Sequence, residues 1–217
     1  IGFFKNCNLT SVNSQNIVFK DAAEIEIIDL EGIDVLVHLA GISNDPLNQL
    51  DSYSTYDPSR EYTYKIAKLC KLKKIKFIFA SSCSVYGKAD NNELVDETST
   101  PNPQTGYSLN KLQIENDLMN LSDNEFSPIA LRFATIFGYS PRIRFDVVVN
   151  MFIGMSLENK LIVLNSDGQS WRPHLHILDA CEAIKSAIEL QYNNNELLIL
   201  NVGRDDNNLK TIKVAEI

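Results

Sequence analysis

A tyrosine and a lysine four residues apart, Tyr107 and Lys111, form a pair that could carry out acid–base chemistry. In a helix, this spacing places both side chains on one face. Tyrosine has an ordinary pKa of about 10, and a neighbouring cation lowers that pKa by stabilising the phenolate, so the residue can act as a base. The same spacing arises by chance in ordinary surface pairs, and Tyr64 and Lys68 repeat it.

A second reactive group, the hydroxyl of Ser82, follows an apolar run. Residues 75–80 predict a buried strand, and Ser81 and Ser82 come directly after it. Ligands of open α/β sheets bind at the carboxyl ends of the strands. A hydroxyl at this position could hydrogen-bond the substrate oxygen that a tyrosinate deprotonates. The alternative for both serines is an ordinary turn at a strand end.

Short apolar runs alternate with longer helical patterns, which is typical of βαβ units and a parallel sheet. Further strands are predicted over residues 35–39, 127–133 and 197–202, with a weak one over 17–19 and a short one over 161–164. Helices are predicted over residues 59–72, from about Tyr107, around 145–157, over 177–190 and from 210 onward. The pattern loosens after Gly138, which predicts one domain over residues 1–138 and a mixed region over 139–217.

The composition of the chain excludes several classes of function. Its 217 residues carry a formal net charge of −8, which argues against a nucleic-acid binder. No apolar run approaches the roughly 18 residues that span a bilayer, and residues 1–30 show no signal peptide. The four cysteines form no metal-spaced cluster, which predicts free thiols and a cytoplasmic location. His174 and His176 are predicted to point to opposite faces of an extended segment and to share no metal.

Several motifs follow one another in a fixed order along the chain. They are His38–Gly41 (HLAG), Ser81–Gly87 (SSCSVYG), Tyr107–Lys111 (YSLNK), Leu131–Gly138 (LRFATIFG), Asp167–Gly168, Trp171–His176 (WRPHLH) and Asn201–Gly203 (NVG). This series resembles the extended short-chain dehydrogenases/reductases of the NAD-dependent epimerase/dehydratase type, which modify sugar nucleotides. The resemblance implies a Rossmann-like, doubly wound parallel α/β sheet with a smaller mixed C-terminal substrate region.

The resemblance also implies a role for each matching position. Ser82 would be the catalytic hydroxyl, Tyr107 the acid/base and Lys111 its pKa-lowering partner. The residues implied at the cofactor are Asp21 (at the adenine), Leu39, Ala40, Gly41, Ser81, Tyr107, Lys111 (at the nicotinamide ribose) and Phe133. The residues implied at the substrate are Ser84, Thr135, Arg144, Asn150 and Arg172. Arg172 would bind the diphosphate through two N–H groups of its guanidinium. Arg144 and Asn150 could equally be ordinary surface helix residues.

The sequence departs from the family pattern in its glycines. None of them forms the G-x-G-x-x-G loop that cradles the cofactor's pyrophosphate. Together with an initial Ile1, this predicts a chain that lacks the first βαβ unit and stops early at its C-terminal end. The acidic residue that separates NAD from NADP would lie in the missing unit. NAD is therefore implied by the subfamily, and NADP stays an alternative.

Two positions after Ser82 narrow the expected reaction. Sugar 4,6-dehydratases of the family place an Asp-Glu pair there, and the decarboxylases tend to keep a glutamate at the second position. Here the two residues are Cys83 and Ser84, so both reactions are disfavoured. Thr135 stands where many epimerases carry an asparagine that contacts substrate phosphate, so the sugar nucleotide would be held differently.

The expected function is therefore NAD-dependent epimerisation of a nucleotide sugar by transient oxidation of a ring hydroxyl. The family places such a reaction in surface-polysaccharide precursor synthesis, and it also suggests a homodimer. Two alternatives stay open. One is an NADP-dependent reductase of a nucleotide sugar or another small carbonyl substrate, and the other is a non-catalytic dinucleotide-binding sensor. No nucleic-acid or membrane partner is expected.

Overall fold

The computed structural model describes residues 18–42, 52–88 and 94–217. The described residues fall into two compact units. The sheet unit comprises Phe19–Phe133 and Ile184–Asn201, and the mixed unit comprises Val18, Ala134–Ala183 and Val202–Ile217. The boundary predicted near residue 138 and the division into residues 1–138 and 139–217 stay predictions.

The sheet unit is built on a four-stranded sheet with the order β1-β2-β3-β6. Its strands are β1 (Val35–His38), β2 (Lys76–Ser82), β3 (Ile129–Phe133) and β6 (Leu198–Val202). β2 is parallel to both β1 and β3, as predicted from the alternating pattern. The two long helices of this unit are α1 (Ser52–Lys73) and α2 (Gly106–Leu121), which pack against each other. The predicted α/β class is therefore confirmed.

Apolar side chains from both helices and from β2 and β3 form the core of the sheet unit. Phe77 and Phe79 of β2 are completely buried and pack with Ile114 and Leu118 of α2. β3 is buried along its whole length, as expected for a strand that is covered on both faces. The register sets Ser82 opposite Phe133, so the carboxyl ends of β2 and β3 lie side by side.

The mixed unit contains a three-stranded sheet with the order β4-β5-β7. β4 (Thr135–Phe137) runs parallel to β5 (Trp171–His176), and β7 (Asn208–Lys210) runs antiparallel to β5. The remaining helices are α3 (Val148–Asn159), α4 (Ile177–Glu189), which is divided between the units, and α5 (Thr211–Glu216). None of the helices in the described ranges has the length and apolar character needed to cross a membrane.

Two of the predicted strands are wrong. Of the run 17–19, Ile17 lies outside the described residues, and Val18 and Phe19 are exposed and form no strand. The chain turns instead at Asp21, whose carboxylate accepts a hydrogen bond of 2.9 Å from the Ala23 amide and caps the 3-10 helix Ala22–Glu24. Residues 161–164 are also not a strand. Short apolar runs become strands only where a neighbouring strand pairs with them.

Candidate active site

The first turn of α2 brings Tyr107 and Lys111 together as their spacing predicts. The Lys111 Nζ lies 5.7 Å from the centroid of the Tyr107 ring. The turn is fixed by a capping box, in which the Thr105 side chain accepts from the Ser108 amide and the Ser108 hydroxyl accepts from the Thr105 amide. The half-buried phenol therefore stands on a helix start that has little freedom to fray.

The Lys111 ammonium is enclosed by the end of β2. It donates a hydrogen bond of 2.6 Å to the Ala80 carbonyl and lies 4.6 Å from the centroid of the Phe79 ring. Burial lowers the pKa of Lys111 to about 8, against the opposing charge of Glu115. The ammonium thus stays charged near neutral pH, and it can stabilise a negative charge on the neighbouring phenol.

Ser82 ends β2 and caps the 3-10 helix Cys83–Tyr86 that follows. Its hydroxyl oxygen accepts a hydrogen bond of 3.2 Å from the Ser84 amide. That bond uses an oxygen lone pair, so the hydroxyl hydrogen can still be donated to a substrate oxygen. α2 packs against both β2 and this 3-10 helix, so one structural unit carries Ser82, Tyr107 and Lys111.

A buried hydroxyl next to Ser82 has no partner in the described part of the chain. The Ser84 Oγ is shielded from solvent and makes no hydrogen bond there. Unsatisfied buried polar groups are uncommon and call for an explanation such as a bound ligand or water. Ser84 was predicted to contact substrate, and this role stays a prediction.

The residues predicted at the cofactor lie in the sheet unit in different environments. Leu39, Ala40 and Gly41 are exposed directly after β1, and Asp21 is exposed as the cap described above. Phe133 is buried opposite Ser82. Ser81 is also buried, and its hydroxyl donates inward to a carboxylate. The cofactor roles of all these residues stay predictions.

His38 at the end of β1 is a packed residue. Its Nε2 lies 2.9 Å from the Thr63 hydroxyl, which donates its own hydrogen to the Ser59 carbonyl, so Nε2 is the donor. Its ring lies near those of Phe77 and Phe79. Burial, followed by the charge of Lys111, lowers the pKa of His38 to about 4. The imidazole is therefore neutral at physiological pH.

A buried ion pair between Glu115 and Arg132 was missed by the sequence reasoning. The Arg132 guanidinium donates two bonds of 2.6 Å and 3.0 Å to the Glu115 carboxylate, and both side chains are buried. Two features of the sequence could have indicated this pair. Glu115 lies one further four-residue step beyond Lys111, and Arg132 is a charge inside an apolar strand, which is rarely buried without a partner.

The residues predicted at the substrate, apart from Ser84, lie in the mixed unit. Thr135 pairs with His174 across β4 and β5. The Asn150 side chain accepts from the Gly138 amide at 3.0 Å and donates to the Arg144 carbonyl at 2.8 Å, so it joins two loop segments. The Arg144 guanidinium forms an exposed ion pair with Asp146.

Arg172 is exposed on β5, and no hydrogen bond from its guanidinium to another residue occurs within the described ranges. The five N–H donors of a guanidinium suit a diphosphate. The substrate roles of Arg172 and of the other residues predicted there stay predictions.

His174 and His176 lie on the same face of β5, so the prediction that they point to opposite faces is wrong. Residues two apart on a strand share a face, and both rings stand edge-on to Phe137 at centroid distances of 6.4 Å and 5.5 Å. Neither ring nitrogen of buried His174 has a hydrogen-bond partner among the described residues. No group of three or more potential metal ligands occurs among the described residues.

A parallel α/β sheet, with Ser82 ending one strand and a Tyr107–Lys111 pair on the adjoining helix, has the architecture of a short-chain dehydrogenase/reductase. The chain belongs to the NAD dependent epimerase/dehydratase family, whose sequence profile matches residues 8–203. This match confirms the resemblance drawn from the ordered motifs.

Curated relatives of the chain are named for different reactions on sugar nucleotides. The uncharacterized UDP-glucose epimerase YtcB of Bacillus subtilis (strain 168) is 30% identical over 80% of this chain and 54% of its own length. The dTDP-D-glucose 4,6-dehydratase of Dictyostelium discoideum is 26% identical over 82% of this chain and 43% of its own length. The chain therefore spans about half the length of these curated relatives.

A solved relative confirms the fold. The UDP-glucuronic acid 4-epimerase from Bacillus cereus, in complex with UDP-glucuronic acid and NAD, matches with a TM-score of 0.74 and 28% identity. The match covers 85% of this chain and 58% of that protein. The Rossmann-like α/β architecture implied by the motifs is thereby supported by structure as well as by sequence.

Proposed function

We propose that this chain carries the acid–base machinery of an NAD-dependent epimerase acting on a nucleoside diphosphate sugar. The observation that carries the proposal is the half-buried Lys111 ammonium beside the Tyr107 phenol, next to the strand end that bears Ser82. Family membership supports it, and so does the relative solved with UDP-glucuronic acid and NAD.

The proton chemistry follows from the charges in the site. With Lys111 charged, the Tyr107 Oη is held as a phenolate and takes the proton of a sugar ring hydroxyl. The Ser82 hydroxyl donates a hydrogen bond to the same sugar oxygen and holds it in place while it becomes a carbonyl. The hydride that leaves this carbon would be returned to the other face of the keto sugar after the sugar has turned over. Tyr107 then returns the proton to the oxygen, which gives the epimer.

The residues at the sheet edge fit a dinucleotide. The Lys111 ammonium has three N–H groups, of which the Ala80 carbonyl takes one. A methyl placed on Gly41 would come within 3.8 Å of the Lys111 Nζ, so the lysine and this exposed backbone are neighbours. Leu39 is 62% exposed although it ends an apolar run, which leaves an apolar surface for a cofactor to cover. NAD, when bound, supplies the hydride acceptor.

The residues after Ser82 support epimerisation over elimination. Eliminating water needs an acid that protonates the leaving group, and the family's dehydratases place carboxyl residues directly after the catalytic hydroxyl. Cys83 and Ser84 stand there in this chain. The Ser84 oxygen, buried without a partner among the described residues, is instead suited to accept or donate a hydrogen bond to the sugar.

The test uses the protein with its complete natural sequence, purified without added cofactor and then denatured. Mass spectrometry identifies the small molecules that are released, and a separate incubation with UDP-hexoses and NAD follows the ratio of epimers by NMR. Retained NAD and interconversion of two epimers would support the proposal. Retained NADP with stoichiometric consumption of NADPH would contradict the proposal and indicate a reductase. Bound dinucleotide without turnover would contradict it and indicate a non-catalytic sensor.

A further inference from the structure

The Glu115 carboxylate joins three elements of the sheet unit. It lies on α2, one helical turn beyond Lys111, and it accepts a hydrogen bond of 2.5 Å from the Ser81 hydroxyl on β2. On its other side it accepts bonds of 2.6 Å and 3.0 Å from Arg132 on β3. Only 1% of Glu115 and 3% of Arg132 is exposed, so these contacts are shielded from water.

The network continues from Arg132 to the segment that Ser82 caps. Arg132 donates a further bond, of 2.7 Å, to the Tyr86 hydroxyl at the end of the 3-10 helix Cys83–Tyr86. Tyr86 donates in turn to the Asn201 side chain at 2.8 Å. Ser82 therefore lies between two residues that are both held by the network, Ser81 before it and Tyr86 after it.

Stability alone is a weak reason for such an arrangement. Replacing a buried ion pair with apolar residues of similar volume is often neutral or stabilising, because taking two charges out of water is costly. Hydrogen bonds with fixed angles do what apolar packing does poorly, since they set the distance and orientation between elements. Here the elements are the helix of Tyr107 and Lys111 and the strand end of Ser82.

We propose that Glu115 is a positioning residue, which aligns the Ser82 hydroxyl with the Tyr107–Lys111 pair through its bonds to Ser81 and Arg132. This inference rests on the proposed catalytic roles of Ser82, Tyr107 and Lys111. Glu115 itself touches none of the reacting atoms. It acts by holding β2, β3 and α2 in one arrangement.

The charged and titratable groups around Lys111 determine how its pKa responds to a change at Glu115. His38 faces Lys111 from β1 and is neutral, with a pKa lowered by burial to about 4. Tyr107 and Glu115 face it from its own helix, and the charge of Glu115 raises the pKa of Lys111 against the effect of burial. Arg132 of β3 lies behind Glu115, and Tyr86 is bound to Arg132.

The first test replaces Glu115 with glutamine in the full-length protein. A misplacement of about 1 Å at a reacting group costs roughly 10²-fold in rate, so the kcat of Glu115→Gln should fall by about that factor while KM stays nearly unchanged. Without the Glu115 charge, the pKa of Lys111 falls, and the alkaline limb of the pH–kcat profile should move to lower pH. Asp117→Asn is the matched control, since Asp117 on the same helix forms a more exposed ion pair, with Arg60 of α1.

The double variant Glu115→Met with Arg132→Met decides the case if Glu115→Gln fails to fold. It removes both buried charges, so the fold should survive, as judged by circular dichroism and thermal unfolding. A folded double variant with strongly reduced kcat supports positioning. A folded double variant with the kcat of the unmodified protein overturns it, and so does a Glu115→Gln protein whose kcat and pH profile match those of the control.

A measurement without substrate separates this inference from the proposed function. The near-ultraviolet absorbance of tyrosinate, taken as the difference between each protein and its Tyr107→Phe counterpart, reports the titration of Tyr107 alone. Glu115→Gln should move that titration to higher pH, because a neutral Lys111 no longer stabilises the phenolate. If no sugar nucleotide is turned over yet this shift occurs, the proposed function fails and the link from Glu115 to Tyr107 stands. If a sugar nucleotide is turned over and the shift is absent, the proposed function stands and the link from Glu115 to Tyr107 fails.

Discussion

The Lys111 ammonium donates a hydrogen bond of 2.6 Å to the carbonyl oxygen of Ala80, two residues before Ser82. The bond ties the helix of the proposed acid/base directly to the strand that carries the proposed catalytic hydroxyl. It also holds a cation in a largely water-free environment, where burial opposes its charge. The lysine is therefore suited to its proposed chemistry and unfavourable for stability at neutral pH.

Replacing Lys111 with methionine should abolish turnover and stabilise the fold at neutral pH. The pKa of Lys111 is lowered by burial from 10.5 to about 8 in the folded chain, so folding below pH 8 costs up to about 3 kcal/mol. The unfolded chain binds the extra proton between these two pH values. The penalty therefore shrinks as pH rises from 8 to 10.5, and with it the advantage of Lys111→Met.

Denaturant unfolding of both proteins at pH 7 and at high pH checks this prediction. Lys111→Met should show the larger free energy of unfolding at pH 7, less the contribution of about 1 kcal/mol from the lost bond to Ala80. The two proteins should converge at high pH. A variant that is less stable at pH 7 by several kcal/mol would contradict the assigned cost of burying the ammonium.

Replacing Tyr107 with phenylalanine should remove turnover and leave the fold intact, because only the phenol oxygen is lost. General acid–base catalysis contributes about 10²–10⁴-fold, so kcat should fall by at least that range. The chain supplies its own control in Tyr64, which has a lysine at the same spacing. The Lys68 Nζ lies 4.7 Å from the centroid of the Tyr64 ring on α1.

Tyr64→Phe should therefore keep the kcat of the unmodified protein. The pair at Tyr64 and Lys68 lies on a helix surface and is not next to a strand end, so nothing positions it against a ring hydroxyl. Epimerase assays on both variants, with equal protein folded as judged by circular dichroism, measure the contrast. Equal losses in the two variants would show that the Tyr107 effect is not specific to the site.

Sequence periodicity predicted the parts of the site that depend on local geometry. The spacing of Tyr107 and Lys111 on a helix, and the place of Ser82 at the end of an apolar strand, are confirmed because helices and buried strands impose simple periods. The ion pair of Glu115 and Arg132 joins residues that are far apart in sequence. Its formation depends on the packing of α2 against β2 and on the pairing of β2 with β3, which no local pattern contains.

The wrong strand prediction over residues 161–164 has the same physical origin. Residues 161–164 have an apolar run of strand length, but a strand exists only when another strand takes its hydrogen bonds. The prediction that His174 and His176 point to opposite faces was an error of periodicity, since alternate residues of a strand share a face. Regular local geometry was predictable, and partners distant in sequence were not.

Replacing Gly87 with alanine should strongly destabilise the loop that follows Ser82. Gly87 has a φ of 67°, and a Cβ there would lie 1.9 Å from the Asn102 carbonyl oxygen. The left-handed conformation costs a non-glycine residue about 1–3 kcal/mol, and the overlap with backbone adds to that cost. Because the Asn102 amide bonds the Val85 carbonyl, the loop cannot move away without breaking this bond.

Gly154→Ala is the contrasting variant for Gly87→Ala. Gly154 lies inside α3, and its added methyl would meet only the Phe145 ring at an ordinary distance of 3.5 Å. Removing a glycine from a helix interior stabilises by roughly 0.5–1 kcal/mol. Thermal unfolding should therefore move in opposite directions for the two variants. A tolerated alanine at position 87 would contradict the close approach of Asn102.

Replacing Arg172 with alanine should weaken the binding of the nucleotide sugar and leave the chemical step nearly unchanged. Hydrogen bonds to charged groups contribute about 1.5–3 kcal/mol, so KM should rise by roughly 10- to 100-fold with a small change in kcat. Arg172→Lys should recover only part of the loss, since an ammonium cannot bind a diphosphate with two parallel bonds.

Arg204→Ala is the control for Arg172→Ala. Arg204 is also an exposed arginine of the mixed unit, and its guanidinium is held by Asp206 at 2.6 Å. Calorimetric titration with UDP, which lacks the sugar, isolates the diphosphate contribution. Equal affinity of Arg172→Ala and Arg204→Ala for UDP would remove Arg172 from the substrate site.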